Sequence, residues 1–248
     1  MNRSAPFRTS LFRTTIASLV LVMFTAALAQ AHFVWVAVDK NAAGAPSICV
    51  WFGELAEADD AALLDNVAKT EVRIRTTAGT SEPVKLSKEI VDGGGTWVAS
   101  VDSSAACLSA KCEYGVLDKK GKVFRLMYLA KYLDASSADF AKLARDESLS
   151  LDVVPVVSEG KCSLVVMWQG KPVSGGEVVV VDAAAVEEKY TTNEEGKLEI
   201  PLPRAGLYSI RAKSIQPEAG ESDGKKFAET NYYTTLTLRV AAEQVQGK

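Results

Sequence analysis

The chain contains one histidine, His32, and its position determines which chemistry it can perform. It follows Ala29, Gln30 and Ala31, a small-x-small pattern that signal peptidase accepts. Cleavage after Ala31 would make His32 the first residue, so that its α-amine and its Nδ1 atom close a chelate ring on one metal ion. Two nitrogen donors suit Cu²⁺ or Ni²⁺, which favour nitrogen ligands in tetragonal geometry. The position of His32 therefore predicts a metal ligand.

One histidine supplies too few donors for a complete site, so further ligands must come from other residues. Glu54 is the first choice, because it ends the segment VWFGE, a strand that should lie near the strand that begins at His32. Glu113 and Tyr114, in the motif CEYG, are the weaker candidates. The alternative is that His32 follows the cleavage site by accident and that Glu54 is an ordinary solvated carboxylate.

Residues 1–31 have the features of a signal peptide. Arg3, Arg8 and Arg13 form a basic region, and Ile16–Ala29 is an apolar run that is shorter than the roughly 20 residues of a membrane-spanning helix. A retained N-terminal anchor is the alternative. No later stretch is long and apolar enough to cross a membrane, so we expect a periplasmic or secreted protein with no membrane span after cleavage.

The composition excludes several classes of function. With 28 basic and 31 acidic residues the net charge is −3, which is unlike the basic surface of a nucleic-acid-binding protein. A Ser-His-Asp or Cys-His triad would have to use His32, and a chain terminus holds a general base poorly. The acid pairs Asp59-Asp60 and Glu194-Glu195 lie in stretches that are typical of solvated loops. We therefore expect no enzymatic activity and no nucleic-acid partner.

The four cysteines of an exported chain make disulfides plausible. Cys107 and Cys112, in CLSAKC, lie in one loop-like stretch and are predicted to close a short disulfide ring. Cys49 and Cys162 lie in apolar, strand-like runs, where a buried thiol is the alternative. The spacing does not match the paired C-x-x-C motifs of zinc sites.

Most segments after residue 31 have the composition and alternation of β-strands. HFVWVAVD is apolar on both faces, which predicts a strand buried centrally, and DGGGTW is a turn that leads into a strand. Glu54–Lys69 has mixed helical spacing, with a loop over its first half as the alternative, and Ser136–Glu147 has helical spacing. In the second, Phe140, Leu143 and Ala144 share one face and Ser137 is available as an N-cap.

Two all-β domains follow from this pattern: an N-terminal β-sandwich-like domain over residues 32–147 and an immunoglobulin-like or transthyretin-like sandwich over residues 148–248. The second block carries six or seven strand-like segments at regular spacing. In its last segment Leu236, Leu238 and Val240 alternate with threonine and arginine, which predicts a strand with one apolar and one polar face.

The segments GKPVSGGEVVVV, TTNEEGKLEIPLPRAGLYSIRA and TTLTLRV resemble the C-terminal half of the DUF4198 family. The first half agrees in outline through Ala-His after the signal peptide, VWFGE, and CEYGVLDKKGKVFRLMYLAKYL. The family's name in domain collections refers to a substrate-specific component of nickel uptake. The gapped pattern K-P-V…G-x-E-V…T-x-x-x-G…P-L-P-x-x-G-x-Y in these segments recurs in many transthyretin-like and carboxypeptidase-regulatory-like modules, which bind or scaffold without catalysing.

The resemblance implies a periplasmic accessory protein that handles nickel or copper, with His32 as the residue carried over and a metal transporter or cell-envelope protein as partner. Members of the family usually have further histidines, which this chain lacks. The remaining ligands would then be carboxylate, thiol, tyrosine or water.

A structural or adhesive cell-envelope module that binds a protein or polysaccharide is the alternative function. It would use exposed aromatic residues, which stack on sugars and pack at interfaces. The candidates lie in predicted strands, and adjacent tyrosines in NYYTT should point to opposite faces of one strand: Trp35, Trp51, Trp97, Trp168, Tyr232 and Tyr233.

Overall fold

Strands dominate the structure because β-branched and aromatic residues recur in nearly every segment. The computed structural model describes residues 32–101, 105–158 and 160–245. The predicted signal peptide, residues 1–31, and its cleavage site lie outside the described residues. The described residues belong to one compact unit, and none of their helices is long and apolar enough to cross a membrane.

The described residues form nineteen strands and one α-helix, with 3₁₀ turns at Leu64–Val67 and Ala242–Gln244. In chain order these elements are β1 (Phe33–Lys40), β2 (Pro46–Gly53), β3 (Asp59–Asp60), β4 (Glu71–Thr76), β5 (Gly79–Thr80), β6 (Ser87–Val91), β7 (Gly94–Ser100), β8 (Cys107–Lys119), β9 (Lys122–Asp134), α1 (Phe140–Leu143), β10 (Leu151–Ser158), β11 (Lys161–Trp168), β12 (Lys171–Pro172), β13 (Glu177–Val181), β14 (Glu187–Thr191), β15 (Lys197–Pro201), β16 (Gly206–Gln216), β17 (Gly220–Ser222), β18 (Lys225–Phe227) and β19 (Glu229–Val240).

A central sheet connects the two halves of the chain. Its strand order over the described residues is β14-β13-β16-β19-β9-β8-β4-β5. The pairing of β19 with β9 is parallel, and within the described part of the chain every other strand pair is antiparallel. One outer sheet has the order β1-β2-β7-β3 with β6 beside β7, and the other contains β10, β11, β12 and β15.

The outer sheets cover opposite faces of the central sheet and enclose two hydrophobic cores. Alternate residues of β9 point to each core: Leu129 and Leu133 join the residues of β10 and β11, whereas Tyr128 and Tyr132 join those of β1 and β2. We call these the β10 core and the β1 core. The all-β, sandwich-like prediction is confirmed, and the sandwich has three layers because its middle sheet is shared.

The predicted division near residue 147 falls in the segment between β9 and β10. The central sheet takes strands from both sides of that segment, since β9, β8, β4 and β5 precede it and β13, β14, β16 and β19 follow it. Separate domains over residues 32–147 and 148–248 stay a prediction.

The two helical predictions have different outcomes. Glu54–Lys69 forms β3 and a 3₁₀ turn, so the helix predicted there is wrong; Leu64 and Val67, three residues apart, are buried, which fits the three-residue 3₁₀ repeat. Ser136–Glu147 does contain α1, but the N-cap is Asp139, and the Ser137 Oγ accepts the Asp139 N–H at 3.3 Å instead.

The DGGGTW turn is confirmed as the hairpin between β6 and β7. Val91 pairs with Gly94, and the two residues between them, Asp92 and Gly93, have φ of 51° and 84°. Positive φ at both positions is the mark of a type I′ turn, which aspartate tolerates and glycine adopts without strain.

All four cysteines lie in the described part of the chain and have free, buried thiols. Cys107 and Cys112 are five residues apart in one extended strand, β8, and they belong to the β10 core and the β1 core respectively. Side chains on opposite faces of one strand cannot bond to each other. The predicted Cys107–Cys112 ring is therefore not formed, because the segment predicted as a loop is a strand.

Replacing Leu236 tests the shared sheet. Leu236 is fully buried in β19, so we expect Leu236→Ala to lower the free energy of unfolding by about 2–5 kcal/mol. Ile215, in the neighbouring β16, is 51% exposed, and Ile215→Ala should change it by less than about 0.5 kcal/mol. Denaturant titration measures both, and equal losses would contradict the described packing.

Thiol titration tests the cysteine assignment. Burial raises the pKa of Cys107 to about 11 and those of Cys49 and Cys162 to about 12, so the reactive thiolate is suppressed in the folded protein near pH 8. We expect very slow reaction with a thiol reagent when the protein is folded, and four thiols when it is unfolded without reductant. Two thiols on unfolding would show that a disulfide exists.

Candidate functional site

The strand that follows His32 is held in an unusual way. Among the described strands β1 pairs with β2 alone and is thus an edge strand of its sheet, yet Phe33–Ala37 is buried on both faces. Side chains of the central sheet bond to its outer edge: the Thr235 hydroxyl donates to the Val34 carbonyl at 2.7 Å, and Arg239 donates to the Val38 carbonyl at 2.8 Å. The predicted burial is confirmed, although β1 is not central in its sheet.

His32 lies at the start of this strand and is fixed through both its backbone and its ring. The Tyr128 hydroxyl donates a hydrogen bond to the His32 carbonyl at 2.9 Å. The imidazole lies against the Phe52 ring, with 5.3 Å between ring centroids, and 15% of the side chain is exposed. His32 Nε2 is 3.5 Å from Asp59 Oδ2. The only imidazole of the chain thus faces a carboxylate at the protein surface.

Two glycines allow Asp59 to reach this position. Asp59 lies in β3, which pairs with Gly94 and Gly95 of β7, and a Cβ on Gly95 would lie 2.8 Å from the Ala61 Cα. A Cβ on Gly53, at the end of β2, would lie 3.0 Å from both the Cβ and the Oδ2 of Asp59. The carboxylate therefore packs against backbone that has no side chain, and this brings it to His32.

An aromatic cluster packs against the His32 ring and around Tyr128. The Tyr128 ring lies 5.8 Å from Phe52, 5.7 Å from Tyr114 and 6.0 Å from Tyr233. Burial, and then the neighbouring tyrosines Tyr114 and Tyr233, raise the pKa of Tyr128 well above its ordinary value. The hydroxyl consequently stays protonated and remains a donor to the His32 carbonyl at neutral and moderately alkaline pH.

The structure places the other predicted ligands, Glu54, Tyr114 and Glu113, differently with respect to His32. Glu54 directly follows β2, whose Gly53 pairs with Phe33, so it lies at the same end of the hairpin as His32 and is exposed. Tyr114 belongs to the aromatic cluster through its ring. Glu113 points elsewhere, since its Oε1 accepts a hydrogen bond from Ser222 at 2.8 Å. Within residues 32–101, 105–158 and 160–245, no group of three or more His, Cys, Asp or Glu side chains could hold a metal ion.

Asp59 is the residue that sequence reasoning missed. The sequence predicts a solvated acid pair at Asp59 and Asp60, but Asp59 contacts His32 and its side chain is 42% exposed. The signal in the sequence was the pair of glycines that pack against its segment, Gly53 and Gly95, and their role depends on a strand pairing that no local pattern predicts.

The aromatic residues that an adhesive surface would need are largely in the cores. Trp35 and Trp51 are buried, Trp97 donates to the Leu64 carbonyl at 3.2 Å, and Trp168 packs on Tyr232 with 4.7 Å between centroids. Tyr232 and Tyr233 do point to opposite faces, as predicted, into the two cores. Among the described residues, the large hydrophobic side chains that are exposed are aliphatic: Ile90, Val91, Val156, Val186 and Ile215.

Residues 29–216 match the family model of DUF4198, a domain of unknown function. The chain belongs to this family. The match includes His32 and Asp59 and ends where β16 ends, so β19 lies outside it although β19 is in the middle of the central sheet. The family description assigns no metal, substrate or partner.

No curated protein matches the sequence. A solved structure titled "Biofilm associated protein - BSP domain" is similar at 11% identity over 83% of this chain and 51% of its own, with a TM-score of 0.19. The chain thus spans about half the length of that structure's chain. A structural similarity this weak supports no conclusion about the fold or the function of this chain.

Removing one hydroxyl tests how His32 is held. Tyr128→Phe keeps the ring and deletes the bond to the His32 carbonyl, so we expect a loss of about 0.5–1.5 kcal/mol in the free energy of unfolding and faster amide exchange at the start of β1. Tyr233→Phe, in the same cluster, is the control. Identical exchange in the two variants would contradict the role assigned to Tyr128.

Proposed function

We propose that this protein is an exported, non-catalytic binding protein that takes up a divalent transition-metal ion, Cu²⁺ or Ni²⁺, with His32 as its first residue. The observation that supports the proposal is the contact of Asp59 Oδ2 with His32 Nε2 at 3.5 Å. A chelate with the α-amine uses the other ring nitrogen, Nδ1. Histidines that bind metals commonly donate their second N–H to a carboxylate, which orients the ring and raises its basicity.

The chemistry of the donors determines what kind of site this would be. His32 supplies two nitrogen donors. Glu54 is an exposed carboxylate that directly follows β2, at the same end of the β1–β2 hairpin as His32. With no group of three acidic, thiol or imidazole side chains around it in the described residues, water or a partner must complete the coordination. An open site of this type suits a protein that accepts and passes on an ion, because a closed structural site leaves no position for exchange. The ion is then cargo, and a metal transporter or another cell-envelope protein is its expected recipient.

Rigid placement is a second reason to assign binding to His32. A disordered N-terminus would lose conformational entropy when it binds an ion. Here the His32 carbonyl, the ring and β1 are all fixed before binding, through Tyr128, Phe52 and Thr235 respectively. The ring that carries Nδ1 and the backbone that follows the α-amine are therefore held in place before an ion binds.

Calorimetric titration of Ni²⁺ and Cu²⁺ tests the proposal on periplasmic protein whose N-terminus has been confirmed by mass spectrometry. We expect one ion per chain, and a loss of binding when one extra residue precedes His32, because the α-amine then becomes an amide. Asp59→Asn should weaken binding about 10- to 100-fold, the usual cost of removing a carboxylate that orients a metal-binding histidine.

Asp60→Asn is the matched control, since Asp60 neighbours Asp59 but has no contact with His32 among the ion pairs of the described residues. Equal and weak binding by the native and the extended N-terminus would refute the metal assignment.

A further inference from the structure

A buried lysine lies far from the His32 site and has no role in it. Lys131, on β9, is 1% exposed and faces the β10 core. Its Nζ donates to Asp152 Oδ1 and to the Ala144 carbonyl, both at 2.5 Å. The side chain of Asp152, at the start of β10, is 5% exposed. One ammonium and one carboxylate are thus in direct contact inside the protein.

A buried ion pair is a costly way to stabilise a core. Removing both charges from water carries a large desolvation penalty, and packed hydrophobic residues of similar volume often give equal stability. The two residues also come from different layers, since β9 belongs to the central sheet and β10 to an outer sheet. Stability alone therefore does not account for this pair, and its chemistry suggests another purpose.

The surroundings of the pair suit the formation of a bond between its two members. The backbone N–H of Asp146 donates to Asp152 Oδ2 at 2.8 Å, which polarises the carboxyl group and stabilises charge that develops on that oxygen. The Ala144 carbonyl orients Nζ from the other side. An amine and a carboxyl group held in contact react as a unimolecular pair, without the entropic cost of encounter. We propose that Lys131 and Asp152 condense to an isopeptide bond that joins β9 to β10.

The reaction balances within the pair. A proton passes from Nζ to Oδ1, which gives a neutral amine and a carboxylic acid. Nζ attacks Cγ of Asp152 while Oδ2 takes negative charge beside the Asp146 N–H. Nζ then loses a proton to the departing hydroxyl, the Cγ–Oδ1 bond breaks, and one water leaves. The product is an amide between Nζ and Cγ, and no oxidant or other co-reactant is needed.

Arg75 is a positioning residue for this step. Its guanidinium donates to the Leu143 carbonyl at 3.0 Å and to the Arg145 carbonyl at 2.7 Å, and its Nε is 3.5 Å from Asp146 Oδ2. These contacts fix the backbone that presents the Ala144 carbonyl and the Asp146 N–H to the pair.

A cavity of about 410 Å³ offers the water an exit. Asp146 and Asp152 line it together with the Glu147–Ser150 segment. Asp146 is 3% exposed, and its Oδ2 accepts no hydrogen bond from the described residues although Arg75 Nε lies 3.5 Å away. This buried oxygen can accept a hydrogen bond from the departing water.

The mass of the intact, folded protein tests the proposal. We expect it to be lighter by one water than the mass calculated from the amino-acid sequence of the same purified chain. A tryptic digest should contain Leu126–Lys142, uncut at Lys131, joined to Asp146–Lys161. The full sequence mass for the folded wild-type protein would overturn the proposal, and this measurement requires no variant to fold.

Two variants show where the water is lost. Lys131→Arg keeps the positive charge without an amine that can condense, and Asp152→Ala removes the carboxyl group, so both should have their full sequence mass. A missing water in either variant would place the dehydration elsewhere and refute the assignment. Arg75→Gln should leave a mixture of linked and unlinked chains, because the backbone beside the pair is less well held. None of these outcomes depends on metal binding at His32.

Discussion

The parallel pairing of β19 with β9 is the constraint on which the rest of the structure depends. Eleven successive residue pairs, from Glu229 with Phe124 to Arg239 with Asp134, place a strand from residues 229–240 beside one from the middle of the chain. Each strand then contributes alternate side chains to both cores. Without this pair there is no continuous central sheet whose two faces the outer sheets can cover. One of its two strands, β19, lies outside the residues that match the family.

The same pair organises the surroundings of both His32 and Lys131. From one face of β19, Thr235 and Arg239 bond to the open edge of β1 and so fix the strand that begins at His32. From β9, Tyr128 points to the β1 core and holds the His32 carbonyl, whereas Lys131 points to the β10 core and meets Asp152. Odd and even positions of one strand therefore serve two sites on opposite sides of the sheet, because successive side chains alternate.

Much of the fold was predictable from local pattern, and the errors have physical causes. Alternation revealed most strands, and the glycines revealed their turns. The spacing of Glu54–Lys69 predicts a helix because helical spacing and burial on a 3₁₀ turn look alike over so short a stretch. The small and charged residues of CLSAKC predict a loop, although the segment is a strand that is covered on both faces. Thr235 and Thr237, predicted on a polar face, are buried, since the β1 sheet covers them.

The sequence by itself determined the all-β class, the hydrophobic content of the cores and the position of the one imidazole, His32, because composition and period-two alternation are local properties of a chain. Only the tertiary structure decided that Asp59 faces His32, that Cys107 and Cys112 lie in separate cores, and that Lys131 touches Asp152. Those contacts join residues distant in sequence or separated by a sheet, and strand pairing, which no local pattern encodes, determines them.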